Sequence, residues 1–299
     1  MPVKQFSGAL TALVTPFGDD GRVDDGALAR LVEAQIAGGI DGLVPCGTTG
    51  EAATLSHAEH IRVVEVVTQT AAGRVPILAG AGSNSTREAI ELARACKELG
   101  VDGTLQVVPY YNKPPQAGLV AHFEAIANAV ALPVVLYNVP SRTGRDMVPE
   151  TVATLAGHPN IVGIKDATGD LHVAARLREL CGDDFCLLSG DDFTLLPFLA
   201  VGGDGGVSVV SNPAPALVSE LCQAVAAGDL PRARRLHQRQ LCLTRLLFRD
   251  PNPIPAKAAM HLLELCGPAV RLPLRPLDFE GELAQALRMT MQELGLLGA

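Results

Sequence analysis

Tryptophan is absent from this 299-residue chain and aromatic residues make up only 4% of it, so each tyrosine at a strand end carries weight. A surplus of positive charge is missing too. The formal net charge of −8 and the isoelectric point near 5.4 argue against nucleic acid and anionic membrane as partners. An anionic ligand must then be met locally, by a few arginines or by backbone N–H groups. The seven cysteines, at 46, 96, 181, 186, 222, 242 and 266, include no CxxC pair and are odd in number. That is the pattern of reduced thiols acting as small apolar residues. No apolar run reaches membrane-spanning length, and the apolar part of residues 1–17 is too short, and broken by Pro16, for a secretory signal. The expectation is a soluble cytoplasmic protein. With 48% hydrophobic and 19% charged residues, the composition is that of a globular chain able to bury a sizeable core.

From the N-terminus to about residue 210, short apolar runs alternate with longer amphipathic ones. Runs at 10–15, 42–46, 75–79, 103–108, 133–137, 161–165, 185–189 and 205–210 have strand length and β-branched content. Most are apolar throughout, as buried parallel strands are. Helical patterns lie between them at 27–37, 56–72, 85–99, 117–129, 149–156, 171–180 and 193–201. Ser56 and Ser85 each stand three positions before a glutamate, Glu59 and Glu88, and read as capping boxes. The pattern Gly-x-Asp-Gly precedes a strand three times, at 39–42, 100–103 and 202–205. Its first glycine fits the position after a helix end, and its Asp-Gly a tight turn. No Gly-x-Gly-x-x-Gly follows the first strand, which disfavours an open dinucleotide-binding sheet. Eight units in about 210 residues match an α/β fold of the (β/α)8 TIM-barrel type. Beyond Pro213 strand signals stop, and helical stretches near 215–227, 230–248, 254–266 and 281–296 follow. The expected organisation is a catalytic barrel over 1–225 with a C-terminal helical extension over 226–299.

Lys165 ends the apolar run Asn160-Ile161-Val162-Gly163-Ile164-Lys165-Asp166. It is one of five lysines, and the others read as lying in polar or loop-like company. A lysine at the tip of a buried strand either snorkels to solvent or does chemistry. A pocket disfavours the ammonium, and the neutral amine attacks carbonyls, which points to Schiff-base chemistry.

In a barrel of this type chemistry gathers where strands end. The second strand runs into Gly47-Thr48-Thr49-Gly50-Glu51, a turn whose N–H groups and hydroxyls can hold a small carboxylate or simply meet solvent. The fourth ends in Tyr110-Tyr111-Asn112-Lys113, paired tyrosines that in isolation read as packing or interface anchors. The fifth ends in Tyr137, a phenol one strand from Lys165 and placed to relay protons. Arg142, in the following loop, offers a planar fork for a second carboxylate. Ser189-Gly190-Asp191-Asp192 closes the seventh strand. Gly190 permits close approach of a ligand, and the aspartates read as a helix N-cap and first turn. His57 and His60 share a helix face at a spacing that can bind metal, but no ligand cluster accompanies them, so no metal site is expected.

Together, Gly47-Thr48-Thr49-Gly50-Glu51, Tyr137-Asn138-Val139-Pro140-Ser141-Arg142-Thr143-Gly144 and Gly163-Ile164-Lys165-Asp166-Ala167-Thr168-Gly169 resemble the dihydrodipicolinate synthase family. The resemblance runs collinearly from Gly8 to about Leu272 and includes Asn252-Pro253-Ile254-Pro255. It implies that Lys165 forms an imine with pyruvate, whose carboxylate rests on the Thr48-Thr49 turn. An enamine then attacks the aldehyde of L-aspartate 4-semialdehyde, and transimination closes the ring of 4-hydroxy-tetrahydrodipicolinate. It implies a proton relay of Tyr137, Thr49 and Tyr111, with Tyr111 reaching into a neighbouring subunit's site across a tight dimer. Arg142 and Thr143 would bind the semialdehyde, Gly190 and Val207 would line the pyruvate pocket, and no cofactor would be needed. A regulatory site for L-lysine would comprise Ala53, His57, Asn84, Glu88 and Tyr110, with His60 close by. Ala52 stands where several feedback-sensitive relatives carry serine. The dimers would pair into tetramers. Another pyruvate-dependent aldolase, acting on N-acetylneuraminate or a 2-oxo sugar acid, would keep Lys165 and Tyr137 but is not expected to carry Ser141-Arg142-Thr143-Gly144. A non-catalytic barrel should have lost one of Lys165, Tyr137, Thr49 or Tyr111, and all four are present.

Overall fold

The computed structural model describes residues 6–298; residues 1–5 and Ala299, at the outer ends of the two expected segments, lie outside the described residues. Eight parallel strands make one sheet: β1 (Gly8–Ala12), β2 (Gly42–Val44), β3 (Leu78–Gly80), β4 (Gly103–Val107), β5 (Val134–Asn138), β6 (Ile161–Asp166), β7 (Cys186–Ser189) and β8 (Gly205–Ser208). The order β2-β1-β8-β7-β6-β5-β4-β3 curls round until β2 meets β3. Among the described residues that last seam is a single bridge, Leu43 to Ile77, supported by N–H bonds from Leu43 to the Pro76 carbonyl and from Gly80 to the Pro45 carbonyl. The chain is therefore a (β/α)8 barrel, and all eight apolar runs are strands.

Twelve helices are described: α1 (Asp25–Ala37), α2 (His57–Ala71), α3 (Thr86–Glu98), α4 (Gln116–Ala129), α5 (Pro140–Thr143), α6 (Pro149–Ala156), α7 (Leu171–Cys181), α8 (Leu195–Ala200), α9 (Pro215–Ala226), α10 (Leu230–Leu247), α11 (Ile254–Leu262) and α12 (Glu282–Glu293). Only α5 lacks a counterpart in the sequence pattern, because four residues are too few to show a helical period. The helix α9 packs on β1 and α10, and α10 also meets α8, α11 and α12. No described helix is long and apolar enough to cross a membrane. At the start of α2 both arms of the capping box form: Glu59 N–H donates to Ser56 Oγ, and Ser56 N–H donates to Glu59 Oε2. At the start of α3 only one arm forms. Ser85 Oγ accepts from Glu88 N–H, but the Glu88 carboxylate is taken by His57 and Ser83 instead.

Side chains alternate between two cores. Outward residues such as Leu43, Leu136, Ile164 and Leu187 pack beneath helix residues such as Leu28, Leu31 and Phe123, each burial contributing about 1.5–3 kcal/mol. Inward residues, among them Leu10, Val44, Leu105, Val135, Tyr137, Leu188 and Val207, fill the barrel itself. Between β5 and β6 the register slips. Val134 pairs with Ile161, but Val135 pairs with Gly163, leaving Val162 as an extra residue. Strict alternation from the outward Ile161 would turn Lys165 toward the helices. The extra residue reverses the parity, so Lys165 pairs with the inward Tyr137 and faces the barrel interior.

The Gly-x-Asp-Gly units do more than turn the chain. Gly39, Gly100 and Gly202 all have positive φ, as the position after a helix requires. Each aspartate then reaches sideways to the neighbouring strand. Asp41 Oδ2 accepts from Ala9 N–H, Asp102 Oδ2 from Ile77 N–H, and Asp204 Oδ2 from Leu187 N–H, all at 2.8 Å. These bonds clamp strand starts together at the barrel's lower rim. Asp41→Ala leaves the buried Ala9 N–H without its acceptor and should lower stability to urea by about 1–3 kcal/mol. Asp41→Asn, which keeps an acceptor oxygen, should retain most of it; equal losses in both variants would refute the clamp.

Candidate active site

The upper ends of β5 to β8 form the floor of the site. Lys165 is only 7% exposed, and its Nζ lies 4.2 Å from the centre of the Tyr137 ring. Among the described residues no carboxylate pairs with it. Beneath its stem lies Gly190, where a Cβ would sit 2.8 Å from Lys165 Cε and 2.7 Å from the Ala167 Cβ. The absence of a side chain at 190 is what gives the lysine room. Val207 is buried in the same interior cluster as Tyr137 and Leu188. The structure thus brings Lys165, Tyr137, Gly190 and Val207 to one place.

The turn after β2 is shaped by close contacts. Cys46 and Glu51 bracket it in the left-handed region, with φ of 54° and 53°. Within it Glu51 N–H donates to the Thr48 carbonyl and Ala52 N–H to the Gly47 carbonyl. Thr15 Oγ1 donates to the Gly50 carbonyl at 2.7 Å. Among the described residues the N–H groups of Thr48 and Thr49 have no acceptor, which leaves two neighbouring donors that can meet an anion. The two threonines differ. Thr48 is half-buried, whereas Thr49 is 3% exposed and its Oγ1 accepts from Asn252 Nδ2 at 2.9 Å.

Behind this turn stands a group that the sequence did not reveal. Lys257 is fully buried on α11 and pairs with Glu51 at 2.5 Å, while donating to the Ala269 carbonyl. Its Nζ lies 3.9 Å from the centre of the Phe17 ring. Burial pushes the Lys257 ammonium below the ordinary lysine range, against the opposing pull of Glu51. Arg271 N–H donates to the other Glu51 oxygen, and the Arg271 guanidinium pairs with Glu59, holding that carboxyl down to about 2. The expectation that every lysine but Lys165 lies in polar company thus fails at Lys257. Its neighbours Pro255, Ala256, Ala258, Ala259 and Met260 are apolar, and that local run was the available signal.

Arg142 is exposed on α5, and among the described residues its guanidinium has no acidic partner. The loop that carries it is held by Thr143, whose hydroxyl donates to the Arg145 carbonyl and accepts from Arg145 N–H. Asn138 fastens the same loop to β5, donating to Asp146 Oδ1 and accepting from Met147 N–H. Thr143 is buried and engaged in that knot. Tyr111 sits apart from the floor: it is 90% exposed, with φ of 70°. Neither Asp191 nor Asp192 caps α8, whose N-cap is Thr194 and carries no side-chain cap bond; Asp191 instead accepts from Phe193 and Thr194 N–H in the turn before the helix. Asp192 is buried, accepting from Ser208 Oγ and from Val209 and Val210 N–H, and burial raises its carboxyl to about 6.

On the outer side of the turn a second polar group assembles. His57 Nε2 lies 2.7 Å from Glu88 Oε1, and Ser83 Oγ donates to the other Glu88 oxygen. Those two bonds, Ser83 first, hold the Glu88 carboxyl below its usual range. Asn84 Nδ2 donates to the Tyr110 carbonyl, and Asn112 Nδ2 to the Asn84 carbonyl. Ala53 is exposed on the short 3-10 turn Ala52–Thr54 just ahead of His57. Ser83 was not foreseen. His60 points elsewhere: it is buried against the Gly80 carbonyl at 2.7 Å, and burial lowers its pKa. Among the described residues no cluster of three or more His, Cys, Asp or Glu could hold a metal ion. Burial pushes the Cys46 thiol up, and Cys96 and Cys222 up to about 12.

Comparison with known proteins agrees with this geometry. The family model of the dihydrodipicolinate synthetase family matches residues 5–293. A 4-hydroxy-tetrahydrodipicolinate synthase of Nitratidesulfovibrio vulgaris is 55% identical over 275 residues, covering 92% of this chain and 94% of its own. The chloride-inhibited dihydrodipicolinate synthase of Acinetobacter baumannii, solved in complex with pyruvate, superposes with a TM-score of 0.94 at 46% identity, covering 97% of this chain and 99% of that one. The lysine-bound enzyme from Cyanidioschyzon merolae gives 0.94 at 46% identity, with coverage of 98% and 99%. The chain belongs to the dihydrodipicolinate synthetase family.

Proposed function

We propose that this chain condenses pyruvate with L-aspartate 4-semialdehyde to give 4-hydroxy-tetrahydrodipicolinate, through an imine on Lys165. The observation that carries the reading is the buried Lys165 amine, with no carboxylate partner among the described residues, beside the Tyr137 ring; the N–H groups of Thr48 and Thr49, which have no acceptor among those residues, support it. The neutral amine adds to the pyruvate carbonyl, and Tyr137 passes protons while hydroxide leaves as water. Loss of a methyl proton from the imine gives an enamine, whose carbon attacks the aldehyde. The amine of the new chain then displaces Lys165, closing the six-membered ring and freeing the enzyme. The lysine is itself the electron sink, so no cofactor enters the scheme. The names of the relatives and the pyruvate complex of the Acinetobacter enzyme support the substrate class.

The Thr48-Thr49 turn takes the pyruvate carboxylate. Thr49 Oγ1 already accepts from Asn252, which suits it to donate its own proton to that anion. Thr48, half-buried and without that bond, is the freer of the two to accept and donate between Tyr137 and a second tyrosine, which favours it over Thr49 for the relay. Tyr111, projecting from its own subunit, would complete the site of a partner in a tight dimer, with dimers pairing further. Arg142 would hold the semialdehyde carboxylate. Residues 1–225 would form the catalytic barrel and 226–299 the extension, in a cytoplasmic enzyme. The His57-Glu88-Ser83 group with Asn84, Tyr110 and Ala53 would bind L-lysine, as a feedback inhibitor, supported by the lysine-bound relative.

Borohydride reduction with pyruvate should leave a stable adduct on the peptide containing Lys165, read by mass spectrometry. Lys165→Met should abolish the adduct and lower turnover at least ~10³-fold, and an unlabelled wild-type peptide would sink the imine mechanism. Arg142→Ala should raise KM for the semialdehyde roughly 10–100-fold while trapping stays normal. Preferential turnover of a sugar acid would instead favour a different aldolase. Gly190→Ala should displace Lys165 and cost about 10²-fold in kcat, and the close approach to the Ala167 Cβ should lower the melting temperature as well. L-Lysine at roughly sub-millimolar to millimolar levels should inhibit, and Glu88→Ala should relieve it. A rate unchanged across that range would remove the regulatory reading.

A further inference from the structure

We propose that Asn252 is a positioning residue of the active site: its amide fixes Thr49 Oγ1 so that the threonine proton points at the carboxylate of the bound 2-oxo acid. The inference rests on the reading above that the Thr48-Thr49 turn receives that carboxylate.

The residues come from opposite parts of the chain, 203 positions apart, and meet in a buried contact. Asn252 is 8% exposed, and Thr49 Oγ1 is its one side-chain partner among the described residues, since Asn252 Oδ1 is buried with no hydrogen bond. Leaving a buried carbonyl oxygen unpaired is unfavourable. An apolar residue of similar size would avoid it. What the asparagine supplies in return is one N–H aimed at one hydroxyl.

The chemistry at this position is specific. Once Thr49 Oγ1 accepts from the amide, its own O–H is free to donate elsewhere. That adds a third donor to the N–H groups of Thr48 and Thr49. An aspartate of the same shape would do the reverse, drawing the threonine proton to itself and placing negative charge beside an anionic substrate. The loop holding Asn252 is itself fixed. Ile254 N–H donates to the Pro251 carbonyl and Lys257 N–H to the Pro253 carbonyl, and the Lys257 ammonium pairs with Glu51, two residues beyond Thr49. The C-terminal segment thus grips the anion-holding turn at two points, one neutral and one charged.

The test compares Asn252→Ala, Asn252→Asp, Thr49→Val and the Asn252→Ala/Thr49→Val double variant. Each is assayed by borohydride trapping across pyruvate concentrations, by steady-state kinetics and by thermal melting. Asn252→Ala should raise the pyruvate concentration for half-maximal trapping about tenfold, with KM for the semialdehyde within twofold of wild type. The isosteric Asn252→Asp should be worse than alanine. In the double variant the asparagine change should add nothing to Thr49→Val. Multiplicative effects in the double variant would overturn the proposal, as would a pyruvate dependence within twofold of wild type in Asn252→Ala. A fall in melting temperature with both KM values raised together would also overturn it, leaving Asn252 a structural contact. Failure of the wild type to trap pyruvate would instead overturn the proposed function, so the two failures are distinct.

Discussion

One extra residue in β6 decides which way Lys165 faces. Val162 has no partner of its own in the ladder to β5, and the alternation after it is inverted. That inversion places the amine in register with Tyr137 and over Gly190, inside the barrel instead of under the helix layer. Everything chemical in the site presupposes it. A phenol one strand away, a glycine that clears the stem and a turn with free N–H groups matter only if the amine is on their side of the sheet. A bulge leaves one residue unpaired, and here that residue decides on which side of the sheet the amine lies.

Two buried lysines show how little residue type alone reveals. Lys165 has an aromatic face beside it and no counter-ion among the described residues. Lys257 has an aromatic face too, but also a carboxylate at 2.5 Å and a carbonyl. The first arrangement leaves the amine available as a nucleophile. The second locks an ammonium into a bridge between α11 and the turn after β2. Among the described residues Lys165 and Arg142 have no acidic partner, whereas Lys257 is braced by one.

The architecture was largely legible because buried parallel strands and amphipathic helices leave different periods. The Gly-x-Asp-Gly repeat carried the same message through backbone geometry, although the sideways reach of Asp41, Asp102 and Asp204 could not be read from spacing. Lys165, Tyr137 and Gly190 were legible as strand-end residues because barrel topology brings those ends together, whereas Val207 was legible only through the family resemblance. What escaped depends on tertiary contact: the one-residue slip at Val162, the four-residue α5, the burial of Asp192, and Ser83 drawing Glu88 away from its capping role. The links from Asn252 and Lys257 to Thr49 and Glu51 escaped for the same reason. The Asn-Pro-Ile-Pro run was visible, but nothing in a linear pattern says which turn it touches two hundred residues earlier.

That last distance has a bearing on how the protein is made. Thr49 precedes Asn252 by 203 positions, so during synthesis the strands and the turn after β2 emerge before Asn252, Lys257 and Arg271 do. Until they do, Glu51 has no cation and Thr49 no amide to fix it. A nascent or truncated barrel could assemble its sheet yet hold its anion-receiving turn unbraced. Arrival of α11 and the segment before it, rather than closure of the barrel, would be the moment at which that turn is braced.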